Sequence, residues 1–433
     1  MEKLIECAKK LGAEFEIYYR TSENKTAKLT DGKLRDMESG ITSGVSLRII
    51  KDGKLGFAYT KNLDNPQELA DNALSSLKAG VAAKFSFPTA KPYRQLETYS
   101  PKAEAANTEM LAEECLRVSA ALGARSKGMV CVYSGVETAS ARIINSAGTD
   151  ITLRSSEFGT RVALVAGGGD EYMAGVSGLD FQTLPDAKLD TLAAMFETCR
   201  NEMRPQPGKR NVLFMPEATY MLLWRLQSGT NGQNLLQKAT PLAGREGEKI
   251  FSETVTLKHS PLNDSIPGAR PVDDEGVPCF DSMPFKDGVF TGFHYDLACA
   301  GKAGVAPTGH GFRRLPLWGG GDPATIKPVP ALPYLHFAHG GKSFEELLSE
   351  LGSGLVVFGV LGAHSGNIPN GDFSVGLAPA ACVENGRIVG KAKDTMISGN
   401  VYELLKRPVS SGCGEPVFAN NPPLLVEGVT ISN

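Results

Sequence analysis

The chain has 433 residues, and its 45 Lys and Arg against 48 Asp and Glu give a formal net charge of -3 at pH 7. Hydrophobic residues make up 42% and charged residues 21%, the balance of a globular protein with a substantial core. The length predicts two or three domains, and the lack of a basic excess argues against nucleic-acid binding.

The N-terminal residues predict a small α+β unit. Apolar residues on one helical face indicate a first helix that ends at Gly12. Alternating apolar and polar residues then predict a strand at 15–19. Two further alternating runs, 45–49 and 55–59, flank the turn residues 51–53 and predict a β-hairpin.

A second helix and a connector follow the hairpin. Asn65 supplies a capping side chain, Pro66 suits the first helical position, and Gly80 marks the end of this helix. Residues 81–101 contain several Pro and Lys residues and read as a connector. A helix at about 109–122 begins the next part of the chain.

The middle of the chain predicts strands, one helix and a linker. Strand-like runs lie at 129–133, 141–144, 150–154 and 160–166, and a helix covers roughly 187–202. Residues 204–210 contain two prolines and a glycine and form the clearest linker. The sequence therefore predicts a composite N-terminal α+β domain, 1–203, with a sub-boundary near 81–101, and a β-rich C-terminal domain, 211–433.

The predicted C-terminal domain is rich in glycine and in short strands. A strand at 211–215 precedes a helix-like run at 217–226. Ser343 and Glu346 form a capping box that predicts the start of a helix. Asn400 predicts the start of another.

Eight cysteines are scattered along the chain without a C-x-x-C pair, which favours reduced, individually placed thiols over a disulfide framework. The N-terminus lacks an apolar signal-peptide run, and no stretch of about 18 apolar residues predicts a membrane span. We therefore expect a cytoplasmic protein that does not enter a membrane.

Three residues are weak candidates for metal ligation. His336 and His339 form the one close histidine pair, but a zinc site needs three or four donors. No Cys, Asp or Glu lies at a usual short spacing to complete the set, apart from Glu345 and Glu346, which face the start of a helix. Cys413 lies between glycines, where a thiol could be a nucleophile or a ligand, and no histidine is near it in sequence. We interpret it as an ordinary free thiol.

The glycine-rich stretches 364–367 and 371–374 have two interpretations. Glycines with Asn, Asp and Ser can present backbone N–H groups to a carboxylate or a peptide. They can equally form a tight crossing between strands, and the local residues favour this structural alternative.

The C-terminal third resembles the TldD/PmbA family. The residues that carry the resemblance are SFEELL at 343–348, GSGLVV at 352–357, Asn367, GDFSVG at 371–376, VENGRI at 383–388 and ISGN at 397–400. Weaker matches occur at 8–13, at the hairpin 44–59, at DDEG 273–276 and at KDG 286–288, so the resemblance covers nearly the whole chain.

The resemblance implies a role in peptide cleavage. TldD-type chains of this family carry an HExxxH segment and a distant C-terminal Cys as zinc ligands, whereas PmbA/TldE-type chains lack the motif and pair with a TldD-type chain. The complex is understood as a peptidase acting on unfolded or modified peptides inside a closed cavity. The family has also been called a modulator of DNA gyrase, through a gyrase-directed toxin system.

The segment that matches the motif here is PEATYM, 216–221. Pro216 and Met221 stand at the two histidine positions, so only Glu217 is retained, and Cys413 lies near the place of the third ligand. Proline has no donor atom and a thioether is a poor zinc ligand. The resemblance therefore implies a PmbA/TldE-type subunit without zinc ligands or catalytic residues, with zinc expected in a TldD-type partner.

The same resemblance suggests residues that contact peptide or line the cavity: Glu217, Asn367, Asp372, Ser374 and Asn400. For Glu217 the alternative is a carboxylate that interacts with the helix dipole. Two other functions stay open at this point: a stand-alone peptidase that uses a metal at His336 and His339 or the thiol of Cys413, and a non-enzymatic module that binds peptide, toxin or gyrase components. A homodimer is also open.

Overall fold

The computed structural model describes residues 1–167, 169–314, 321–414 and 420–433. Over these residues the fold is α+β, as the sequence predicts, and two large sheets dominate it. The eight cysteines are all free thiols. None of the helices in the described ranges combines the length and the apolar character needed to cross a bilayer.

The first sheet is antiparallel, with the strand order β4-β3-β2-β1-β5-β6-β7. Its strands are β1 (Glu14–Thr30), β2 (Lys33–Lys51), β3 (Lys54–Thr60), β4 (Val81–Ala82), β5 (Met129–Asn145), β6 (Asp150–Val165) and β7 (Glu171–Gly178). The helices of this part are α1 (Glu2–Lys10), α2 (Pro66–Ser76), α3 (Pro101–Ala105), α4 (Thr108–Gly123) and α5 (Asp186–Thr198).

Two separate cores cover one face of this sheet. Leu4 of α1 and Leu69 of α2 pack on Ile17 and Leu47 at the β1–β3 end. Helices α4 and α5 pack on β5 and β6 through a second cluster of buried apolar residues. Asn65 accepts a hydrogen bond from the Glu68 amide at the start of α2, which confirms the predicted cap.

Strands β5 and β6 are longer than the sequence predicts. The runs 129–133 and 141–144 belong to one strand, as do 150–154 and 160–166. Residues 137–140, in the middle of β5, are half-exposed, so they lack the apolar alternation that marks a half-buried strand. Continuous pairing of β5 with both β1 and β6 holds this stretch extended.

The remaining strands belong mainly to the C-terminal part. They are β8 (Glu202–Met203), β9 (Gly208–Phe214), β10 (Leu257–His259), β11 (Ser282–Lys286), β12 (Val289–Phe290), β13 (Gly311–Phe312), β14 (Val329–Pro330), β15 (Leu335–Phe337), β16 (Gly354–Val357), β17 (Val360–Leu361), β18 (Asp372–Leu377), β19 (Ala380–Glu384), β20 (Arg387–Ala392), β21 (Met396–Asn400), β22 (Ser410–Ser411) and β23 (Leu424–Ser432). The helices are α6 (Pro216–Gly229), α7 (Gly232–Leu236), α8 (Leu297–Ala303), α9 (Phe344–Leu351) and α10 (Val401–Leu404).

The second large sheet has the order β17-β18-β21-β23-β9-β16-β19-β20-β8, and β22 pairs with β23. It begins at β8, and residues 208–210 of the predicted linker already lie in β9. A smaller sheet has the order β12-β11-β10-β15, and β13 pairs with β14. The predicted helix starts at Ser343 and Asn400 are confirmed, because both side chains cap the helices that follow them.

Both faces of the second sheet are buried. Val212 and Phe214 of β9 pack under α6, whereas Leu213 between them faces the cluster that α5 and α9 share. Adjacent side chains of a strand point to opposite faces, so this short apolar run serves two cores at once. The core of α4 and α5 is therefore continuous with the C-terminal part.

Candidate functional site

A cleft of about 450 Å³ lies where the edge strand β7 and helix α5 meet the start of α6. Its lining comes from both halves of the chain. The described residues that line it are Tyr172–Gly175, Lys188, Thr191, Leu192, Met195, Met215, Pro216, Glu217, Lys342–Glu345, Phe358, Cys413 and Pro423.

The local sequence explains how α6 begins in this cleft. The Met215 amide donates to the Val357 carbonyl at 2.9 Å, so the β9–β16 pairing continues up to the helix. Pro216 then occupies the first helical turn, where its missing N–H costs nothing and its fixed φ suits the helix. Glu217 lies half-buried in the same turn, near the positive end of the helix dipole.

Glu217 and Cys413 line this cleft together, although they are far apart in sequence. Cys413 is exposed, and it follows β22 and Gly412, whose backbone pairs with Lys342. The cleft is therefore the place where the resemblance puts the zinc centre of TldD-type chains. Whether Glu217 contacts peptide stays a prediction.

The residues of this cleft do not fit zinc. Pro216 offers no donor atom, and Met221 is 0% exposed on the core side of α6. Glu217, Glu345 and Cys413 are the potential donors in the described lining, and a protein zinc site needs three or four donors gathered around one point. In the part of the chain that the structure describes, no three His, Cys, Asp or Glu side chains form a group that could hold a metal ion.

His336 and His339 lie outside the cleft lining and have hydrogen-bond partners. Their ring centroids are 5.2 Å apart. Nδ1 of His336 bonds the Phe337 carbonyl at 2.9 Å, and Nε2 lies 3.3 Å from the Ser260 hydroxyl. Nε2 of His339 bonds the Asn420 carbonyl at 2.9 Å. These contacts are those of structural histidines.

Asn367, Asp372 and Asn400 come together at the β18–β21 end of the second sheet. Asn400 donates to the Asp372 carboxylate at 2.8 Å, and the Asp372 amide donates to the Asn367 carbonyl at 3.1 Å. Ser374 is exposed two residues further along β18. None of the four belongs to the described lining of the cleft. Their proposed contact with peptide remains a prediction.

Arg225 on α6 lies outside the set of residues that the sequence predicts for the site. It is fully buried, and its guanidinium donates to the carbonyls of Asp372 at 2.7 Å, Ala363 at 3.1 Å and Ser365 at 2.9 Å. Burial lowers the pKa of Arg225 to about 10. Its place on the same helical face as Met221 and Leu222 is the sequence signal that could have revealed it.

A larger cavity of about 570 Å³ lies over β5 and β6. Glu137 and Glu157 stand opposite each other there, and burial followed by the charge of Glu137 raises the pKa of Glu157. Arg20 pairs with Glu137, and Arg161 opposes the shift at Glu157. Arg20 thus compensates the charge of Glu137, whereas Arg161 offsets the raised pKa of Glu157 only in part.

The sequence is similar to models and members of one protein family. A model of the PmbA/TldA metallopeptidase C-terminal domain matches residues 207–433, and a model of domain 1 of the same family matches residues 15–77. An uncharacterized protein of Methanocaldococcus jannaschii is 25% identical over 94% of each chain. A Haemophilus influenzae protein named as a metalloprotease TldD homolog is 22% identical over 96% of this chain and 92% of its own length.

Two solved structures share the fold over their whole length. TldE from Thermococcus kodakarensis superposes with a TM-score of 0.89 and 26% identity, covering 100% of both chains. A Thermotoga maritima protein described as a candidate modulator of a DNA gyrase superposes with a TM-score of 0.85 and 28% identity, covering 100% of this chain and 99% of its own.

Proposed function

This chain belongs to the PmbA/TldA metallopeptidase family, and we propose that it serves as a TldE-type, non-catalytic subunit of a two-chain peptidase. Its partner is a TldD-type chain, which holds the zinc. The complex acts on unfolded or modified peptides in the cytoplasm. This chain contributes binding surface and leaves the chemistry to its partner.

The observation that carries the proposal is the start of α6. Pro216 and Met221 have no donor for a metal, while Glu217 and Cys413 remain in the same cleft. In a zinc peptidase the glutamate acts on a water whose pKa the metal has lowered, and Glu217 has no such metal ligand pair beside it. A chain that keeps the cleft but lacks the two metal-binding histidines suits the role of a non-catalytic subunit.

The thiol of Cys413 does not supply an alternative catalytic centre. A catalytic cysteine needs an adjacent base that favours the thiolate. No histidine is among the described residues that line the cleft, and the His339 ring, which lies against Gly414, has its Nε2 engaged with the Asn420 carbonyl. This composition argues against the stand-alone peptidase.

The cleft has the lining of a site for peptide side chains. Met173, Met195, Met215 and Phe344 contribute apolar surface, and thioether side chains adapt to varied partners. Lys188, Lys342, Glu217 and Glu345 add polar groups to the lining. Such a mixture favours binding of many sequences over recognition of one.

The proposal is tested by reconstitution. The full chain and a TldD-type chain from the same genome are purified separately and together, and hydrolysis of an unfolded protein, reduced and carboxymethylated casein, is followed by mass spectrometry. We expect a stable heteromeric complex, no hydrolysis by this chain alone and hydrolysis by the complex. Hydrolysis by this chain alone would refute the proposal. Stable capture of casein peptides without turnover, even by the complex, would favour the binding module.

A further inference from the structure

Three of the six histidines of the chain meet in the interior of the C-terminal part. His259 ends β10, His294 follows β12, and His310 precedes β13. They are 0%, 4% and 3% exposed, and the ring centroid of His310 lies 4.9 Å from that of His259 and 5.7 Å from that of His294. We refer to these three residues as the histidine cluster.

The cluster leaves most of its ring nitrogens without partners. Both nitrogens of His259, both of His294 and Nε2 of His310 are buried without a hydrogen bond of good geometry, although the Thr230 backbone lies close enough to the His294 ring to favour its protonated form slightly. Only Nδ1 of His310 has a partner, the Thr308 hydroxyl at 2.9 Å. A neutral imidazole has one donor and one acceptor, and burying them unpaired costs free energy. The fold therefore keeps three imidazoles together although their burial costs free energy.

The surroundings of the cluster make each imidazole a poor proton acceptor. Burial, then the charges of the other histidines, lowers the pKa of His259 well below its usual value, and burial followed by His310 does the same for His294. Burial lowers the pKa of His310 to about 4. The titratable and charged groups nearest the cluster are Arg314, His336, Tyr334, Asp273 and Cys279.

Among the described residues, the acidic neighbour of the cluster is Asp273, and its carboxylate is already engaged. Asp273 accepts hydrogen bonds from the amides of Gly311, Glu275 and Val277 at 2.8, 2.9 and 2.9 Å. Arg314 contributes positive charge that disfavours a proton on His259. Protonation of the cluster would therefore place like charges together in a buried site.

Two of the three histidines lie on segments that contact other elements of the fold. The His294 amide donates to the Thr230 carbonyl at 3.1 Å, and the Gly232 amide donates to the His294 carbonyl at 2.9 Å, at the end of α6. Three residues after His310, the Arg313 guanidinium bonds Glu16 on β1 at 2.8 Å. Repulsion between protonated rings would thus disturb the contacts at the end of α6 and the contact of Arg313 with the first sheet.

We propose that the histidine cluster is a pH-sensitive conformational switch. The neutral imidazoles pack these segments together at neutral pH. Acid favours opened states in which the rings are exposed and take up protons, and this weakens the contacts at the end of α6 and with the first sheet. This pH switch is independent of the proposed peptidase role, since it needs neither peptide nor partner.

The direction of the pH effect follows from linkage. Each histidine has a folded pKa below its unfolded value of about 6.5, so the unfolded chain binds more protons in acid. The stability that the cluster contributes is present above pH 6.5 and is lost as the pH falls below it. Buried Asp273 and Glu275 have raised pKa values and act with the opposite sign. These carboxylates are common to all variants of the cluster and largely cancel in a comparison.

The test is urea unfolding of the full chain between pH 5 and pH 8. The variants are His259→Phe, His294→Phe, His310→Asn and the triple substitution, and exposed His364→Gln is the matched control. Each of these histidines takes up about one proton on unfolding, which makes the unfolding equilibrium constant about tenfold larger at pH 5 than at pH 6. Each substitution should therefore reduce the ratio of the two constants about tenfold relative to the wild type. The control keeps the wild-type slope. The single variants decide the matter if the triple variant does not fold.

Hydrogen exchange locates the effect. At pH 5.5, after correction for the intrinsic exchange rate, we expect faster exchange at 257–259, 292–295 and 310–313 in the wild type than in the triple variant. Slopes that are the same in wild type and variants would overturn the proposal. About one tightly held transition metal per chain that the triple variant loses would also overturn it, because the rings would then be ligands.

Discussion

Arg48 and Glu275 form a buried ion pair between the first sheet and the C-terminal part. Nη1 of Arg48 donates to Oε1 of Glu275 at 2.7 Å, and the two side chains are 3% and 0% exposed. Arg48 also pairs with Glu16, and Arg313 pairs with Glu16 from the other side at 2.8 Å. Two cations and two carboxylates thus pair across the junction of the two halves.

Removal of Arg48 tests this junction. Arg48→Met leaves Glu16 and Glu275 buried with less compensation, so we expect the free energy of unfolding to fall by about 3–5 kcal/mol. The control is Arg142→Met, which removes an exposed pair with Asp150 and should cost about 0–1 kcal/mol. Urea unfolding measures both. Equal losses would show that the buried pair does not join the halves.

Arg225 is expected to hold the 363–372 segment against α6. Arg225→Met leaves the carbonyls of Ala363, Ser365 and Asp372 without their donor, and each buried unpaired carbonyl costs about 1–3 kcal/mol, partly relieved by water. We expect faster hydrogen exchange in this segment and lower stability. Arg245→Met, which removes an exposed pair with Glu248, should leave the segment unchanged.

Glu217 should be dispensable for catalysis by the complex. Glu217→Gln keeps the size of the side chain and removes its charge, so peptide hydrolysis should stay within about twofold of the wild type, because no metal-bound water depends on this carboxylate. The lost interaction with the helix dipole should lower stability by about 0.3–1 kcal/mol. A loss of kcat of a hundredfold or more would mean that Glu217 acts on the reacting atoms.

The apolar lining of the cleft should govern peptide affinity. Met173→Glu puts a charge into this lining, and we expect peptide binding by the complex to weaken at least tenfold while the melting temperature stays nearly unchanged, since Met173 is 36% exposed. Met396→Glu is the matched control, because Met396 is 44% exposed on β21 and lies outside the cleft lining. Fluorescence anisotropy with a labelled casein peptide distinguishes the two. Equal affinities would show that peptide binds elsewhere.

Local signals in the sequence predict local structure well. The caps at Asn65, Ser343 and Asn400 are visible in the sequence because the capping side chain and the amide it binds are three residues apart. The full length of β5 is not visible, because pairing with its neighbours rather than a half-buried face keeps its middle extended. The α+β class follows from the many short alternating runs between capped helices.

The functional features depend on contacts that no short spacing encodes. Family resemblance, rather than periodicity, connects Glu217 with Cys413, and the structure places both in one cleft. The members of the histidine cluster come from three separate segments, so each appears in the sequence as an isolated residue. The partners of Arg48 likewise lie on β1 and in the acidic loop at 273–276.

Zinc content tests the central claim most directly. The full chain is purified alone without a metal-affinity tag, incubated with zinc and dialysed, and its metal is counted by mass spectrometry. We expect far below one zinc per chain, because Pro216 and Met221 stand where the family resemblance puts the ligand pair. About one tightly held zinc per chain would contradict it, and the ligands would then be sought among His336, His339 and Cys413.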